Sequence, residues 1–352
     1  MRFRLPSARI AAVGAALAVA AGSAPAAFAA PGAPGTRPSF CGHDNRHTPF
    51  AQYLCAQEGD LLDVRIGDVH PTQPALGYDE VYYKLGRYTL GKDAINKKFS
   101  DWCEADGRIE AVAAAPGARL DDPSSFTCAL PVGGETAASI EPMKTVVIGP
   151  GGEPFLTDGH HTLTSFFETP DGGADLHVRL RVQANFSNLT RQAFWDQMQA
   201  HKWVYLSDPE GNPVRINKLP TGVGLANFEN DKYRGLLYFG RDIGYAQNGL
   251  PFQEFYWGSW VRDTAPVADW DTTDQAGYLA AVRTVTEAMT ALPKDTVVDS
   301  GFTAGQLGAL SQWNAGKAAN KGEFDKLSKP YSDAKPGKLA YALEYKRVHG
   351  LG

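Results

Sequence analysis

The chain has 352 residues, 43% of them hydrophobic and 21% charged, with 37 Gly, 23 Pro and a formal net charge of −5. That supplies a sizeable core and excludes a wholly disordered or fibrous polymer. It also excludes the basic surface that non-specific polyanion binding needs, so any nucleotide or nucleic-acid role has to come from a local site.

Met1 to Ala30 has the layout of a secretory signal: Arg2, Arg4 and Arg9 precede an apolar run from Ile10 to Gly22, and Ala27-Phe28-Ala29 fits an A-x-A cleavage site. The run is too short to span a hydrocarbon core of about 30 Å, and no other stretch approaches the roughly 18 apolar residues a span requires. The expectation is an exported, extracellular protein with no membrane attachment after signal cleavage. Residues 1–29 carry those three arginines and no acid, so their loss takes the charge to −8. Residues 30–59 read as a mobile leader containing Cys41 and Cys55. With Cys103 and Cys128 they make an even set, which in an exported chain reads as disulfides. Short loops close at least entropic cost, which favours Cys41–Cys55 and Cys103–Cys128. The alternative is a zinc site using His43 or His47, although no CxxC pair is present.

Leu61 to Val69 alternates well enough for a strand, and Pro71-Thr72-Gln73-Pro74 is a stiff turn. Tyr78–Tyr88 and Lys92–Ala105 carry helical spacing, and Ala113–Ala138 is loop-like. Lys144–Ile148 is a β-branched strand, Gly149–Gly152 a turn, Pro154–Thr157 a second short strand and Leu163–Phe167 the start of a helix. A strand at Leu176–Gln183, a helix at Thr190–His201 and a short strand at Trp203–Leu206 follow. The aromatic run Phe252–Trp260 reads as core, with base stacking as the alternative. Thr273–Leu292 and Thr303–Leu327 read as helices, with a break near 329–338. Strands mixed with helices without strict alternation predict an α+β fold.

The junction Asp158-Gly159-His160-His161-Thr162 is the strongest chemical signal. A strand that passes through a glycine turn into a helix leaves unpaired N–H groups at the positive end of the helix dipole, which is a ready anion site. Gly159 allows close approach of a ligand. His160 and His161 are candidates for base or acid, Asp158 for a divalent cation or for orienting an imidazole, and Thr162 for capping the helix or donating a hydroxyl.

Val69-His70-Pro71-Thr72-Gln73-Pro74-Ala75-Leu76-Gly77-Tyr78, Lys84, Val147 to Gly152, Leu156 to Thr162, Leu219-Pro220, Asp231 to Arg234 and Glu254 to Trp257 with Arg262 stand in an order that resembles the ParB-like nuclease family, a branch of the ParB/sulfiredoxin superfamily. The resemblance covers about residues 60–265 and implies a small mixed β-sheet surrounded by helices; beyond it the residue pattern reads as a helical C-terminal extension over 266–352. It also implies a phosphate-binding turn at Asp158–Thr162, used by relatives for the phosphates of CTP, ATP or ADP, often with Mg²⁺. The Asp-Gly-His-His string is similar to that of a free-serine kinase branch. That branch places a carboxylate where Gln73 stands, and Thr162 replaces the arginine that usually follows the histidine pair. No helix-turn-helix region is recognisable, which disfavours chromosome partition.

Three functional readings follow. The first is a secreted, metal-assisted phosphodiester hydrolase acting on nucleic acid or nucleotides, with His160, His161, Asp158 and Glu254 catalytic, and Asp158 and Glu254 holding Mg²⁺ or Mn²⁺. In it Gly159, Thr162, Lys84, Arg234 and Arg262 contact phosphate, against the plainer outcome that the arginines pair with Asp231, Asp242 or Glu254. The second is a nucleotide-dependent phosphotransferase, which would need Asp79 or Glu80 to stand in for the missing carboxylate. The third is a non-catalytic module for a phosphorylated ligand.

Overall fold

The β-branched and alternating runs around Thr145–Ile148 and Leu176–Gln183 become adjacent strands because each offers an apolar row to helices on the sheet faces. The computed structural model describes residues 48–264, 266–267, 269–314 and 322–351. The expected signal segment, Cys41, His43 and His47 lie outside the described residues. In chain order the elements are β1 (Leu61–Arg65), β2 (Ala75–Leu76), α1 (Tyr78–Thr89), α2 (Lys97–Ala105), β3 (Ala111–Ala114), β4 (Phe126–Cys128), α3 (Ala137–Ile140), β5 (Thr145–Ile148), β6 (Pro154–Leu156), α4 (His160–Glu168), β7 (His177–Asn185), α5 (Arg191–Ala200), β8 (Glu229–Asn230), α6 (Lys232–Gly240), α7 (Gln253–Thr264), α8 (Gln275–Ala291), β9 (Val297–Asp299), β10 (Phe302–Thr303), α9 (Glu323–Leu327) and α10 (Lys338–His349).

The central sheet has the order β1-β7-β5-β6. β5 and β7 are parallel, while β1 pairs with β7 and β6 with β5 antiparallel, so the sheet is mixed and the fold is α+β. β5 is buried along its whole length because both faces are covered. Val147 packs with Phe155, Phe194, Trp195 and Met198 under α5. Val146 and Ile148 join the larger core with Val81 and Leu85 of α1, Phe99 and Trp102 of α2, and Leu163 and Phe166 of α4. A third cluster gathers Trp257, Tyr278, Val282, Met289 and Leu339 from α7, α8 and α10. The aromatic run at 252–260 is therefore core, as its sequence reads: Phe255, Tyr256, Trp257 and Trp260 are all buried.

Helix α1 belongs to two of these clusters and carries residues of the later site. Its position 86 is glycine because α10 lies directly on it: a Cβ there would come within 2.3 Å of the Tyr341 carbonyl oxygen. Asp79 adds a polar tie, accepting from Tyr278 Oη at 2.9 Å and Lys346 Nζ at 3.0 Å in a buried setting.

Several local expectations differ from the structure. The strand from Leu61 stops at Arg65, and Ile66–Asp68 forms a 3-10 turn. The second helix begins at Lys97 because the Asn96 side chain accepts from the Lys98 N–H at 3.0 Å and caps it. The stretch 113–138 holds β4 and the capped turn α3 as well as loop. Trp203–Leu206 forms no strand. Over 303–327 the expected helix is replaced, among the described residues, by the end of β10, turns and the short α9. Helix α10 carries no amphipathic stripe because Leu339, Ala340, Tyr341, Ala342 and Lys346 are buried around it. No described helix is long and apolar enough to cross a membrane.

Cys103 and Cys128 form the favoured disulfide, with a Cα–Cα distance of 5.6 Å, and link the last turn of α2 to β4 beside Phe99, Trp102 and Phe126. Closing a loop of this size restricts the unfolded chain by about 3 kcal/mol. The double substitution C103A/C128A is expected to lower stability by about that amount in urea denaturation, with the native fold retained.

Candidate functional site

The site forms where three segments meet the start of α4. The segment after β1 is docked on β6 by His70 N–H to Pro154 O at 2.9 Å and Leu156 N–H to His70 O at 2.8 Å. The chain then turns at Asp158-Gly159 into α4. Gly159 has φ of 106°, and a Cβ there would lie 2.7 Å from Lys144 Cγ, so only glycine fits. Gly159 is the N-cap and no side chain caps the helix, which replaces the capping role expected for Thr162. The first intrahelical bond runs from Leu163 N–H to Gly159 O at 2.8 Å, so the N–H groups of His160, His161 and Thr162 precede the helical ladder at its positive end.

The two histidines are buried, and each has one nitrogen committed. Thr72 N–H donates to His160 Nε2 at 3.0 Å, and Gly77 N–H donates to His161 Nε2 at 3.1 Å. A ring nitrogen that accepts an N–H carries no proton, so both neutral rings hold theirs on Nδ1. Burial lowers His160 to about 3, opposed in part by Asp158 and helped by a smaller push from Arg234. Burial followed by Arg234 puts His161 well below its ordinary range. These imidazoles therefore pin the 72–77 segment to α4 and are Nδ1–H donors. Of the base or acid role expected for them, Nε2 is taken by the backbone and Nδ1–H remains.

Beside them runs a chain of buried charges. Arg234 Nη2 lies 2.9 Å from Glu80 Oε2, without the alignment of a hydrogen bond, and 3.8 Å from Glu254 Oε2. Arg241 Nη2 donates to Glu254 Oε1 at 2.6 Å, and Tyr245 Oη donates to the same oxygen at 3.1 Å. Burial alone would raise Glu254, but Arg241 and Arg234 outweigh it and hold the carboxyl down at about 2. Arg234 Nη1, Arg241 Nε and Arg181 Nε are buried without any hydrogen-bond partner.

The two histidines, Glu80, Glu254, Arg181, Arg234 and Arg241 line one cavity of about 770 Å³. It brings together Asp158, Gly159, His160, His161, Thr162, Lys84, Arg234 and Glu254 from the sequence reading. Lys84 is paired with Asp101 at 3.3 Å; burial works against its charge, but Asp101 and Glu80 outweigh that and raise its pKa. Asp158 is the most exposed member and pairs with Lys144 at 3.3 Å. Arg262 is not part of the lining: its guanidinium donates to the Pro209 carbonyl at 2.6 Å and to Ser259 Oγ at 3.0 Å. Gln73 is on the wall, but its amide donates to Ala75 O at 2.6 Å, and Asp79 is spent on Tyr278 and Lys346. Glu80 is thus the carboxylate that α1 presents to the cavity. Its position one helical turn before Lys84 was the sequence signal for it. Arg241, Arg181 and Lys338 also line the cavity and were not singled out in the sequence.

The donor set does not fit a divalent metal. Glu254 is taken up by two guanidiniums and a phenol, Asp158 by a lysine, and no group of three or more His, Cys, Asp or Glu able to hold a metal occurs among the described residues.

Both histidines are neutral in the folded chain and free to protonate below about 6.5 when unfolded, so their burial costs stability as pH falls. Glu254 acts in the same direction, since its carboxyl must protonate at a higher pH in the unfolded chain than in the folded one. Stability is expected to be complete above about pH 6.5 and to fall steadily toward pH 3, as read by thermal melts. Long-range ¹H–¹⁵N spectra at pH 7 should show Nδ1–H tautomers for His160 and His161 that persist to pH 5.

A family model for ParB-like nucleases matches residues 62–263, more than half of the chain. No curated protein sequence matches. Among solved structures, the chain is similar to protein Atu1540 from Agrobacterium tumefaciens, at 20% sequence identity and a TM-score of 0.44, over 66% of this chain and 93% of that one. The family match runs from β1 into α7 and includes Glu80, the Asp158–Thr162 turn, Arg234, Arg241 and Glu254. The chain belongs to the ParB-like nuclease family.

Proposed function

We propose that the cavity receives a phosphate of a nucleotide or nucleic acid and that the chain is a nuclease-like phosphodiester hydrolase, working outside the cell after loss of its signal. The observation that carries this reading is Arg234. Its guanidinium is buried and its Nη1 has no partner, beside the unpaired amides of α4 and two imidazoles whose available protons are on Nδ1. An unmet charged donor costs more than the roughly 1–3 kcal/mol of a neutral one, and a phosphate oxygen would satisfy it.

In this reading the α4 amides, Arg234 and the imidazole Nδ1–H groups hold the non-bridging oxygens. The same donors stabilise the charge that builds on those oxygens as water adds to phosphorus and the ester oxygen departs. Glu80 Oε2, close to Arg234 but without an aligned donor, takes the proton of the attacking water. A second reading, a non-catalytic module for a phosphorylated ligand, is favoured by the commitment of both Nε2 atoms to backbone N–H groups, which leaves neither histidine able to act as base there.

The test measures binding and turnover separately. Inorganic phosphate should raise the melting temperature of the mature protein. Plasmid or RNA should be cut in assays run with Mg²⁺, Mn²⁺ or EDTA. Arg234→Met should weaken phosphate binding by about tenfold or more, while Arg234→Lys, which keeps the charge beside Glu80 and Glu254, should retain part of it. Glu80→Gln should abolish cleavage and leave phosphate binding in place. Binding without cleavage under every condition would establish the module reading. Folded protein that binds no phosphate would overturn both.

A further inference from the structure

The cavity does not end with the family-matched segment. Lys338, the first residue of α10, lies 75 positions beyond the end of that segment at residue 263 and forms part of the same wall. Its ammonium sits over the ring of Tyr238 at 4.9 Å and that of Tyr83 at 6.0 Å. Among the described residues no carboxylate lies within ion-pair distance of it. The other cavity lysines, Lys84, Lys97 and Lys144, each have one.

The placement is fixed by packing. α10 lies against Gly86 of α1, and Gly337, immediately before Lys338, would put a Cβ within 2.1 Å of the Leu327 carbonyl oxygen. Lys346 of the same helix is bonded to Asp79 of α1. The charged and titratable groups facing the Lys338 ammonium are Glu80, Tyr83 and Lys84 from α1, Tyr238 from α6, and Arg241 and Asp242 just after α6. Two of these are cations and two are carboxylates, so it is chiefly burial, with Arg241 next, that disfavours the charge of the lysine until an anion arrives.

We propose that Lys338 is a ligand-binding residue that takes a second phosphate, beyond the one held at the start of α4, so that the C-terminal extension makes this chain selective for two or more linked phosphates. The inference rests on the phosphate reading of the cavity. Linked phosphates come from the pyrophosphoryl group of a nucleotide or from successive phosphodiesters of a strand, and the experiment separates the two. Loss of hydration, and then Arg241, lowers the Lys338 ammonium to about 8. A bound phosphate raises it again, so binding draws in a proton and weakens as pH rises through about 8.

Titration calorimetry on the mature protein and on Lys338→Met and Lys338→Arg tests this, with inorganic phosphate, pyrophosphate, ADP and a short oligothymidylate as probes. Lys338→Met should bind inorganic phosphate as the parent does but pyrophosphate about tenfold more weakly, and Lys338→Arg should restore it. The ratio of parent to Lys338→Met affinity for pyrophosphate should fall between pH 7 and 9. A matching loss for ADP alone assigns the nucleotide source, and one for the oligothymidylate alone assigns the strand. Equal losses for phosphate and pyrophosphate, or none for either, would overturn the role of Lys338 while leaving the central phosphate site intact. Failure of the parent to bind inorganic phosphate would instead remove the site on which the inference rests.

Discussion

Glu80, Arg234, Glu254 and Arg241 form a buried chain of alternating charge, and the architecture around the cavity depends on it. Their side chains keep between 6% and 18% of their exposure, so little water remains to solvate four ions. Each is tolerable only because its neighbours carry the opposite sign. Deleting one member leaves an uncompensated buried charge, which typically costs 3–5 kcal/mol, so the chain fixes α1, α6 and α7 relative to one another. The balance within it is even, and Arg181 and Lys338 add positive charge with no acid partner at ion-pair distance among the described residues. The cavity wall as a whole is close to charge balance, so in a chain with a net charge of −5 an anion site rests on individual unpaired donors rather than on a surplus of positive charge.

The histidine pair shows how a motif can be placed from sequence while the use of each ring nitrogen stays hidden. A strand, a glycine turn and a helix start were legible because β-branched residues, Gly159 and the apolar run after it each announce their conformation. What no spacing reveals is which ring nitrogen will be used. That was decided by Thr72 and Gly77, over eighty residues away, whose amides needed acceptors once the Pro71–Gly77 segment was buried against α4. The histidines serve the fold through Nε2, and any service to a ligand is left to Nδ1.

Other parts were legible to different degrees for equally local reasons. The Cys103–Cys128 bridge followed from loop length, and the buried aromatics of α7 from their density. Arg262 was grouped with Arg234 because both lie among aromatics, but Arg234 on α6 lines the cavity while Arg262 on α7 reaches Pro209 and Ser259. Helix α10 gave no periodic signal because it is covered on more than one side, and so Lys338 was hidden with it. Long-range pairing of charges was the least readable feature: Glu80 and Glu254 are separated by most of the family-matched segment and share one arginine.

The claim that unites these observations is that the unpaired donors around α4 are preorganised for one oxyanion. The most direct measurement is a crystal structure of the protein soaked in phosphate. The account requires an anion within hydrogen-bond distance of Arg234 Nη1, at least one of the first-turn amides of α4 and an Nδ1–H of the histidine pair. A well-ordered crystal at saturating phosphate in which Arg234 Nη1 contacts no anion, or in which the anion binds only on the outer surface, would contradict it.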